Sequence, residues 1–275
     1  MTIKDILIGI AIRDDADPAR NFALSMGAKY RAHVTGVAYG FVPDLPFSIY
    51  PEFVSDLAQQ VQAAADKEVE GARARFEEAA RTQNVEHSFE TVSCTVQFAV
   101  SDFAFRLRTA DLGIVTQHKS GEVERFGDLF LESALFQSGR PLIIVPRGYQ
   151  QSLSLDRVLI AWDGSLHATR AVAAAMSLLV PGATIEVLSI EETAKGTEFR
   201  GSALVRHLRR HGLDAVLAER RERDLPEAIV REIETFRANL VVMGGYGHSR
   251  IKEFVFGGVT RLILNRMPTP VLMAH

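Results

Sequence analysis

A glycine-rich stretch near the C-terminal end reads Met243-Gly-Gly-Tyr-Gly-His-Ser-Arg-Ile-Lys-Glu-Phe-Val-Phe-Gly-Gly-Val-Thr260, and it follows the apolar run Ala238–Met243. The run predicts a buried strand, so a strand leads directly into a glycine-rich turn. Gly244 and Gly247 lie where the chain leaves this strand, and the pair Gly257-Gly258 opens a predicted helix. Glycines at such points let backbone N–H groups approach a ligand, and a helix N-terminus favours negative charge. The pattern predicts a phosphate-binding loop; the alternative is that these glycines serve only turns and packing.

The composition is that of an ordinary globular protein, with 275 residues, 47% of them hydrophobic and 24% charged. This length predicts roughly two domains. A net charge of −3 provides no large basic face of the kind that binds nucleic acid. No apolar run reaches the roughly 18–20 residues that cross a membrane, and the N-terminus opens with a strand-like segment rather than a signal peptide. We therefore expect a cytoplasmic protein that binds neither nucleic acid nor membranes.

Apolar runs with strand-like and helix-like periodicity alternate along the chain. The first half contains predicted strands at 5–12, 33–39, 85–95, 112–115 and 141–145, and predicted helices at 18–32, 55–82, 98–109 and 127–138. The second half contains predicted strands at 157–162, 184–190, 213–219, 239–243 and 270–274, and helices at 165–180, 197–211, 225–237 and 258–266. This alternation predicts an α/β fold in which helices cover parallel sheets.

The second half of the sequence repeats the first. The run Arg157–Trp162 resembles Asp5–Ile10, and the run Ala238–Met243 resembles Ala110–Val115. Self-similarity of this kind indicates a duplication. The two copies differ where ligand chemistry is expected, because the first copy has Ala11, Thr116 and Lys119 at the positions of Asp163, Gly244 and Gly247. The sequence therefore predicts a phosphate-type loop in the second copy alone.

Turn-forming and polar residues at Pro146–Ser154 interrupt the apolar periodicity and mark a linker. We expect two tandem, doubly wound, five-stranded parallel-sheet domains: residues 1–147, without a nucleotide motif, and residues 155–275, with the glycine-rich loop. The fifth strands, at 141–145 and 270–274, are short and apolar, and exposed strand edges are normally covered. We therefore expect the halves to pack as an internal pseudo-dimer with these strands close to the contact.

In a doubly wound sheet, ligands bind at the carboxyl ends of the strands where the winding direction reverses, here between the first and fourth strands of a half. Asp163 and Ser165 follow the first strand of the second half. Asp163 could accept a hydrogen bond from an adenine amino group or a ribose hydroxyl, while Ser165 caps the next helix. The alternative is a plain capping pair. The neighbouring Trp162 could stack on a base or pack against the sheet.

The order of strand, glycine turn, nine-residue spacer, double glycine and helix resembles the nucleotide loop of the universal stress protein family. The family pattern is glycine, two residues, glycine, nine residues, glycine, then serine or threonine, and Gly244, Gly247 and Gly257 match it. Universal stress proteins also carry an Asp-Gly-Ser sequence where this chain has Asp163-Gly-Ser165. The resemblance covers the whole chain as a tandem pair, strongly in the second half and by fold pattern in the first.

The resemblance implies that ATP, alone or with Mg²⁺, is the ligand of the second half, and it implies a role for each matching residue. Ala161, Trp162 and Asp163 would face the adenosine, Met243 and Gly244 the base and ribose, and Gly247, Gly257, Gly258 and Val259 the phosphates. The family also implies a homodimer. In nucleotide-binding members, the equivalent of Asp163 faces the nucleotide.

Gly258 departs from the family pattern, because it occupies the position of the serine or threonine. A hydroxyl there would donate a hydrogen bond worth about 1 kcal/mol, or about 1.5–3 kcal/mol if charge-assisted. Polar residues after the second glycine either supply compensating charge or are solvated: His248, Ser249, Arg250 and Lys252.

The segment Phe41–Phe53 combines prolines with aromatic residues and is too apolar for a free loop. It either covers its own domain, forms a dimer interface or closes over a ligand cleft. Among these alternatives, we expect it to supply the homodimer surface.

Several enzyme classes lack their motifs in this chain. A P-loop sequence G-x-x-x-x-G-K-[ST] does not occur, and neither do H-E-x-x-H and G-x-S-x-G. The lone Cys94 excludes an internal disulfide framework. A nucleotidyltransferase or pyrophosphatase motif is also missing after the first strand.

Two functional hypotheses follow. The first is a tandem universal stress protein that binds ATP in its C-terminal half and acts in stress response or signalling, with little or no catalysis and at most slow ATP hydrolysis. The second is a scaffold of the same fold that binds no nucleotide, in which Gly258 marks a lost site. Whether nucleotide copurifies with the protein distinguishes them.

Overall fold

The computed structural model describes residues 2–14, 16–41, 51–117, 124–151, 153–180, 182–191, 201–245 and 258–275. The chain divides into two compact units. We call Lys4–Ser138 the N-terminal unit, and Gly139–His275 together with Met1–Ile3 the C-terminal unit. The domain boundary predicted from the sequence lies between residues 147 and 155, where the second copy of the repeat begins. This boundary stays a prediction. Most of the segment Phe41–Phe53 lies outside the described residues.

The N-terminal unit alternates strands and helices. These are β1 (Asp5–Gly9), α1 (Pro18–Tyr30), β2 (His33–Phe41), α2 (Pro51–Thr82), β3 (His87–Cys94), α3 (Val96–Leu107), β4 (Leu112–Thr116) and α4 (Glu124–Ser138). The strands lie in the order β3-β2-β1-β4, and each neighbouring pair is parallel. The predicted α/β fold with a parallel sheet is therefore confirmed.

The C-terminal unit has the same alternation. Its elements are β5 (Leu142–Val145), β6 (Arg157–Ala161), α5 (Leu166–Ala175), β7 (Thr184–Glu191), α6 (Gly201–Arg210), β8 (Asp214–Arg221), α7 (Leu225–Phe236), β9 (Leu240–Gly244), α8 (Gly258–Arg266) and β10 (Val271–Ala274). The strands lie in the order β5-β10-β9-β6-β7-β8. Neighbours from β10 to β8 are parallel, whereas β5 pairs antiparallel with β10. The two fifth strands are thus direct neighbours, as predicted.

The strand registers match the internal repeat. Ile6 pairs with Leu112 in the first sheet, and Val158 pairs with Leu240 in the second. These are the positions that the sequence repeat aligns, so Thr116 at the end of β4 is the counterpart of Gly244 at the end of β9. In both sheets the first strand lies between the second and the fourth, which is where the winding direction reverses.

Local sequence signals set the helix ends. Thr95 and Ser165 are N-caps whose hydroxyls accept backbone N–H groups of the first turn, and Asp224 caps α7 in the same way with its carboxylate. The central strands are buried on both faces because helices cover each side, which explains their continuous apolar runs. None of the described helices has the length and apolarity to cross a membrane.

Candidate functional site: the carboxyl edge of the C-terminal sheet

Three strands of the C-terminal unit end level with one another. Met243 on β9 pairs with Ala161 on β6 and with Met273 on β10. Past the strands, the Trp162 N–H donates to the Leu188 carbonyl at 2.9 Å, and the Gly245 N–H donates to the Ala274 carbonyl at 3.0 Å. These bonds extend the ladder by one residue, so the chain segments after β6 and β9 leave the sheet from the same edge.

Asp163 lies in the turn between β6 and α5. Its Oδ1 accepts the Ser165 N–H at 2.9 Å, and the intervening Gly164 has a φ of +76°, a conformation that favours glycine. The Ser165 hydroxyl accepts the Ala168 N–H at 3.1 Å and caps α5. The capping interpretation of Ser165 is therefore confirmed. Asp163 also shapes the turn. It is exposed at the carboxyl edge of the sheet, where a ligand can reach it.

Gly244 brings β9 and α5 into close contact. A Cβ atom on this residue would stand 2.6 Å from the Ala168 backbone nitrogen and 2.9 Å from both the carbonyl carbon and the Cβ of His167. Real Cβ atoms do not approach backbone this closely, and a helix backbone cannot yield as a flexible side chain can. Packing alone thus requires glycine at position 244. This agrees with the alternative interpretation, in which the glycine serves a turn and packing.

Two ring nitrogens at this edge lack a hydrogen-bond partner among the described residues. They are Nε1 of Trp162 and Nδ1 of His167, and both atoms are buried although their residues are only half-buried. A buried polar atom without a partner carries a free-energy cost. The Trp162 side chain is half-buried, and its Nε1 is enclosed by protein atoms.

His167 was not singled out by the sequence and proves to be a central residue of this edge. Its ring stacks on that of His275, with centroids 4.1 Å apart and an interplanar angle of 22°. Burial lowers the pKa of His167, and the nearby Arg170 lowers it further, while Asp163 opposes the change. Burial, His167 and Arg170 lower the pKa of His275. Both shifts favour the neutral form of the imidazole rings.

The structure brings five of the nine predicted site residues together at the switch point: Ala161, Trp162, Asp163, Met243 and Gly244. Gly258 and Val259 form the first turn of α8. Because α8 joins the parallel strands β9 and β10, its N-terminus lies on the same edge as the ends of these strands. Gly247 and Gly257 lie outside the described residues. Within the described part, no three His, Cys, Asp or Glu side chains form a metal-binding group.

The corresponding edge of the N-terminal unit is occupied by its own side chains. Thr116 Oγ1 donates to Asp17 Oδ1 at 3.0 Å and accepts the Ala19 N–H at 3.4 Å. Asp17 also accepts the backbone N–H groups of Ala11 and Arg20 at 3.2 and 3.3 Å. Burial raises the pKa of Asp17 from 3.8 to about 6, although these hydrogen bonds oppose the change.

Comparison with known proteins supports the resemblance to universal stress proteins. Residues 154–275 match the model of the universal stress protein family. This match lies in the C-terminal half of the chain. A universal stress protein of Synechocystis is 26% identical to this chain over 169 residues, a match that covers 59% of this chain. The same match spans 58% of the relative's own length.

Solved structures extend the likeness of fold to the whole chain. A universal stress protein from Archaeoglobus fulgidus has a TM-score of 0.76 at 14% sequence identity, covering 99% of this chain and 96% of its own. A functionally unknown protein from Pseudomonas aeruginosa PAO1 has a TM-score of 0.56 at 15% identity, covering 98% of this chain and 92% of its own. At these identities the likeness establishes the fold of both halves and not their ligands.

Proposed function

We propose that this chain is a universal stress protein whose C-terminal half binds an adenine nucleotide, ATP, alone or with Mg²⁺, and that it acts in stress response or signalling with little or no catalysis. The observation that carries the proposal is the pairing of β6 with β9 at the switch point of the sheet, because Asp163 and Trp162 follow β6 and α8 follows β9. In doubly wound folds this is the place where ligands bind.

The two ends of the proposed site suit the two ends of ATP. The Asp163 carboxylate is an exposed hydrogen-bond acceptor that fits ribose hydroxyls or an adenine amino group, and the half-buried Trp162 indole could stack on the base. At the other end, Gly258 and Val259 open α8, and the first backbone N–H groups of a helix have no acceptor within the helix. Such groups and the helix dipole attract phosphate.

The proposed role is binding rather than turnover. Asp163 already accepts the Ser165 N–H and shapes the turn, so it is committed to structure as well as to recognition. The rings of His167 and His275 stack on each other. We propose that the site holds a nucleotide and leaves its phosphates intact.

Titration calorimetry with ATP and Mg²⁺ tests the proposal. We expect one site per chain and weaker binding by Asp163→Ala. The matched control is Asp214→Ala, the same change at an exposed carboxylate that opens β8 at the opposite edge of the sheet. Binding that is equally weak in both variants would refute the assignment of Asp163. Two equivalent nucleotide sites per chain would contradict the restriction to the C-terminal half.

Gly258→Ser separates nucleotide binding from the scaffold alternative. The added hydroxyl restores the family pattern, and we expect it to tighten ATP by about 1 kcal/mol, roughly fivefold. If wild type and Gly258→Ser both fail to bind ATP, the nucleotide proposal is wrong and the scaffold alternative holds. Binding by both, tighter in the variant, would exclude the scaffold.

A further inference from the structure

Two histidines at the C-terminal end of α6 lie one helical turn apart. His207 belongs to the last turn of α6, and His211 follows its last residue, Arg210. The His211 N–H donates to the Leu208 carbonyl at 3.0 Å, so the helical turn continues to His211. A spacing of four residues places two side chains next to each other on a helix. Both histidines are exposed, so an ion from solution can reach this His207–His211 pair.

The two imidazole rings stand at the separation that a shared metal ion would impose. Their centroids are 4.7 Å apart, and their planes are inclined by 65°. A metal ion lies about 2.0–2.1 Å from a coordinating histidine nitrogen and therefore about 3.2 Å from the ring centre. The centres of two such rings are about 4.5 Å apart when the two metal–nitrogen bonds form a right angle, and about 5.2 Å apart in tetrahedral geometry. The observed separation lies between these two values.

The rings of His167 and His275 form a pair with a different geometry. They stack with centroids 4.1 Å apart and an interplanar angle of 22°. The lone pair of an imidazole nitrogen lies in the plane of its ring, so the lone pairs of nearly parallel rings do not converge on one ion. The inclined rings of the His207–His211 pair permit this convergence. Of the two histidine pairs, this one is therefore the better chelate.

Three arginines of α6 lie away from the histidine face. They are Arg206, Arg209 and Arg210. Successive residues are about 100° apart around a helix, which turns these arginines about 60–160° away from His207. Arg209 is also held by the next strand, because its Nε donates to the Ala215 carbonyl at 2.9 Å. The dipole of a helix attracts cations to its C-terminal end. The end of α6 thus accepts a cation on the histidine face.

We infer that His207 and His211 form a chelate for a divalent transition metal ion: Cu²⁺, Ni²⁺ or Zn²⁺. Imidazole nitrogen suits these ions, whereas Mg²⁺ and Ca²⁺ prefer oxygen ligands. Among the residues that the structure describes, no third His, Cys, Asp or Glu joins the pair, so water completes the coordination. With the same ligands Cu²⁺ binds more tightly than Ni²⁺ or Zn²⁺. The pair should therefore bind Cu²⁺ most tightly of the three.

The His207–His211 pair lies away from the proposed nucleotide site. Because α6 joins the parallel strands β7 and β8, its C-terminal end lies at the edge where β8 begins. Trp162 and Asp163 lie at the opposite edge, where β6 ends. The inference is therefore independent of nucleotide binding, and the two sites can be tested separately.

Titration calorimetry with Cu²⁺ or Zn²⁺, in a buffer that does not bind metals, tests the inference. We expect the tightest site to hold one ion per chain. His207→Ala or His211→Ala should weaken it about a hundredfold, because the second contact of a chelate is intramolecular. Both variants should fold, since the histidines are exposed and alanine favours a helix. The control is His33→Ala, which removes a histidine of the N-terminal unit and should leave the affinity unchanged.

Ala203→His sharpens the test by adding a ligand. Ala203 is exposed one turn before His207, so a third imidazole would stand on the same face. We expect Zn²⁺ to bind about tenfold more tightly or better. Ser202→His is the matched control, because it adds the same side chain at an exposed position of α6 that lies about 140° from His207. It should leave the affinity for Zn²⁺ unchanged.

Three results would overturn the inference. The first is a wild type that binds neither Cu²⁺ nor Zn²⁺. The second is a tight site that survives the double substitution His207→Ala with His211→Ala, which would place the ion on other histidines. The third is equal tightening by Ala203→His and Ser202→His, which would show that any added imidazole suffices. Proton NMR provides an independent measurement: Zn²⁺ should shift the ring signals of His207 and His211 before those of the other histidines.

Discussion

The two halves of the chain join their fourth strand to their first helix in different ways. In the C-terminal unit, Gly244 removes the side chain, and the backbone of β9 touches the backbone of α5 directly. In the N-terminal unit, Thr116 keeps a side chain at the equivalent position, and its hydroxyl bridges Asp17 and the Ala19 N–H. In the C-terminal unit the missing side chain of Gly244 lets the strand and the helix touch. In the N-terminal unit a hydrogen bond between Thr116 and Asp17 links them.

The difference determines what each edge can offer to a ligand. Asp163, the carboxylate of the second edge, is exposed to solvent, while Asp17, the carboxylate of the first, is 1% exposed. Asp17 accepts hydrogen bonds from three donors of its own unit, so its polar capacity is used internally. Its φ of 24° is a conformation that is costly for a residue other than glycine, and the network holds it there. A duplicated fold can therefore keep an exposed carboxylate at the sheet edge of one copy, while the carboxylate in the other copy is buried and hydrogen-bonded within its own unit.

Gly244→Ala is expected to have the largest effect, because it removes the feature that distinguishes the second junction. The new Cβ would meet the Ala168 backbone nitrogen at 2.6 Å, so α5 must move away from β9. We expect the free energy of unfolding to fall by about 3 kcal/mol, near the upper end of the usual cost of overpacking. Chemical denaturation measures this. Gly148→Ala is the control, since a Cβ there meets nothing within 4 Å, and equal stability of the two variants would contradict the packing role of Gly244.

Thr116→Val tests the first junction with a side chain of the same shape. The change leaves Asp17 without its hydroxyl donor in a buried site, which should cost about 2 kcal/mol of unfolding free energy. Thr116→Ser keeps the hydroxyl and should restore most of the loss. The affinity for ATP should not change in either variant, because we place the nucleotide in the C-terminal unit. A Thr116→Val protein as stable as wild type would show that the hydrogen-bonded pair does not hold the junction.

Acid should change the stability contributed by the two sheet edges in opposite directions. We expect this effect to be smaller than those of Gly244→Ala and Thr116→Val. The folded N-terminal unit binds a proton on Asp17 more tightly than the unfolded chain does, because burial raises the pKa of Asp17 to about 6. The stability that Asp17 contributes to folding is complete below the ordinary pKa of an aspartate, 3.8, and is lost as the pH rises through about 6. Between pH 5 and pH 7 we expect a loss of about 1 kcal/mol. Unfolding at several pH values should show this loss in wild type and not in Asp17→Asn, while Asp66→Asn, at an exposed carboxylate, keeps it.

The stacked pair in the C-terminal unit should respond to acid with the opposite sign. Because the pKa values of His167 and His275 are lowered, their contribution is present above the ordinary histidine pKa and is lost as the pH falls. His167→Phe keeps a ring for stacking and cannot be protonated at that position, so it should reduce this acid sensitivity. Proton NMR of the histidine ring signals follows both titrations. Ring pKa values at or above the ordinary value would contradict the neutral stack.

The sequence by itself determined the order of strands and helices, the repeat and the position of the switch point. These features depend on neighbouring residues: the apolar periodicity of runs such as Arg157–Trp162, and the cap and turn chemistry of Asp163-Gly-Ser165. The repeat also predicted which strands are equivalent, and the registers confirm it. Local patterns suffice for such features because each is a property of a few consecutive positions.

Only the tertiary structure decided which distant groups meet. Thr116 and Asp17 are 99 residues apart in sequence, and His167 and His275 are 108 apart, so no local pattern indicates either contact. Gly244 was interpreted from sequence through the ligand or through packing, and the distance to Ala168 shows that packing alone demands it. Helical periodicity likewise did not reveal which apolar side chains of α3 stay exposed, because the exposure of Phe98 and Phe105 depends on the packing of the whole chain. Contacts and exposure arise from the path of the whole backbone, which brings together residues that the sequence keeps far apart.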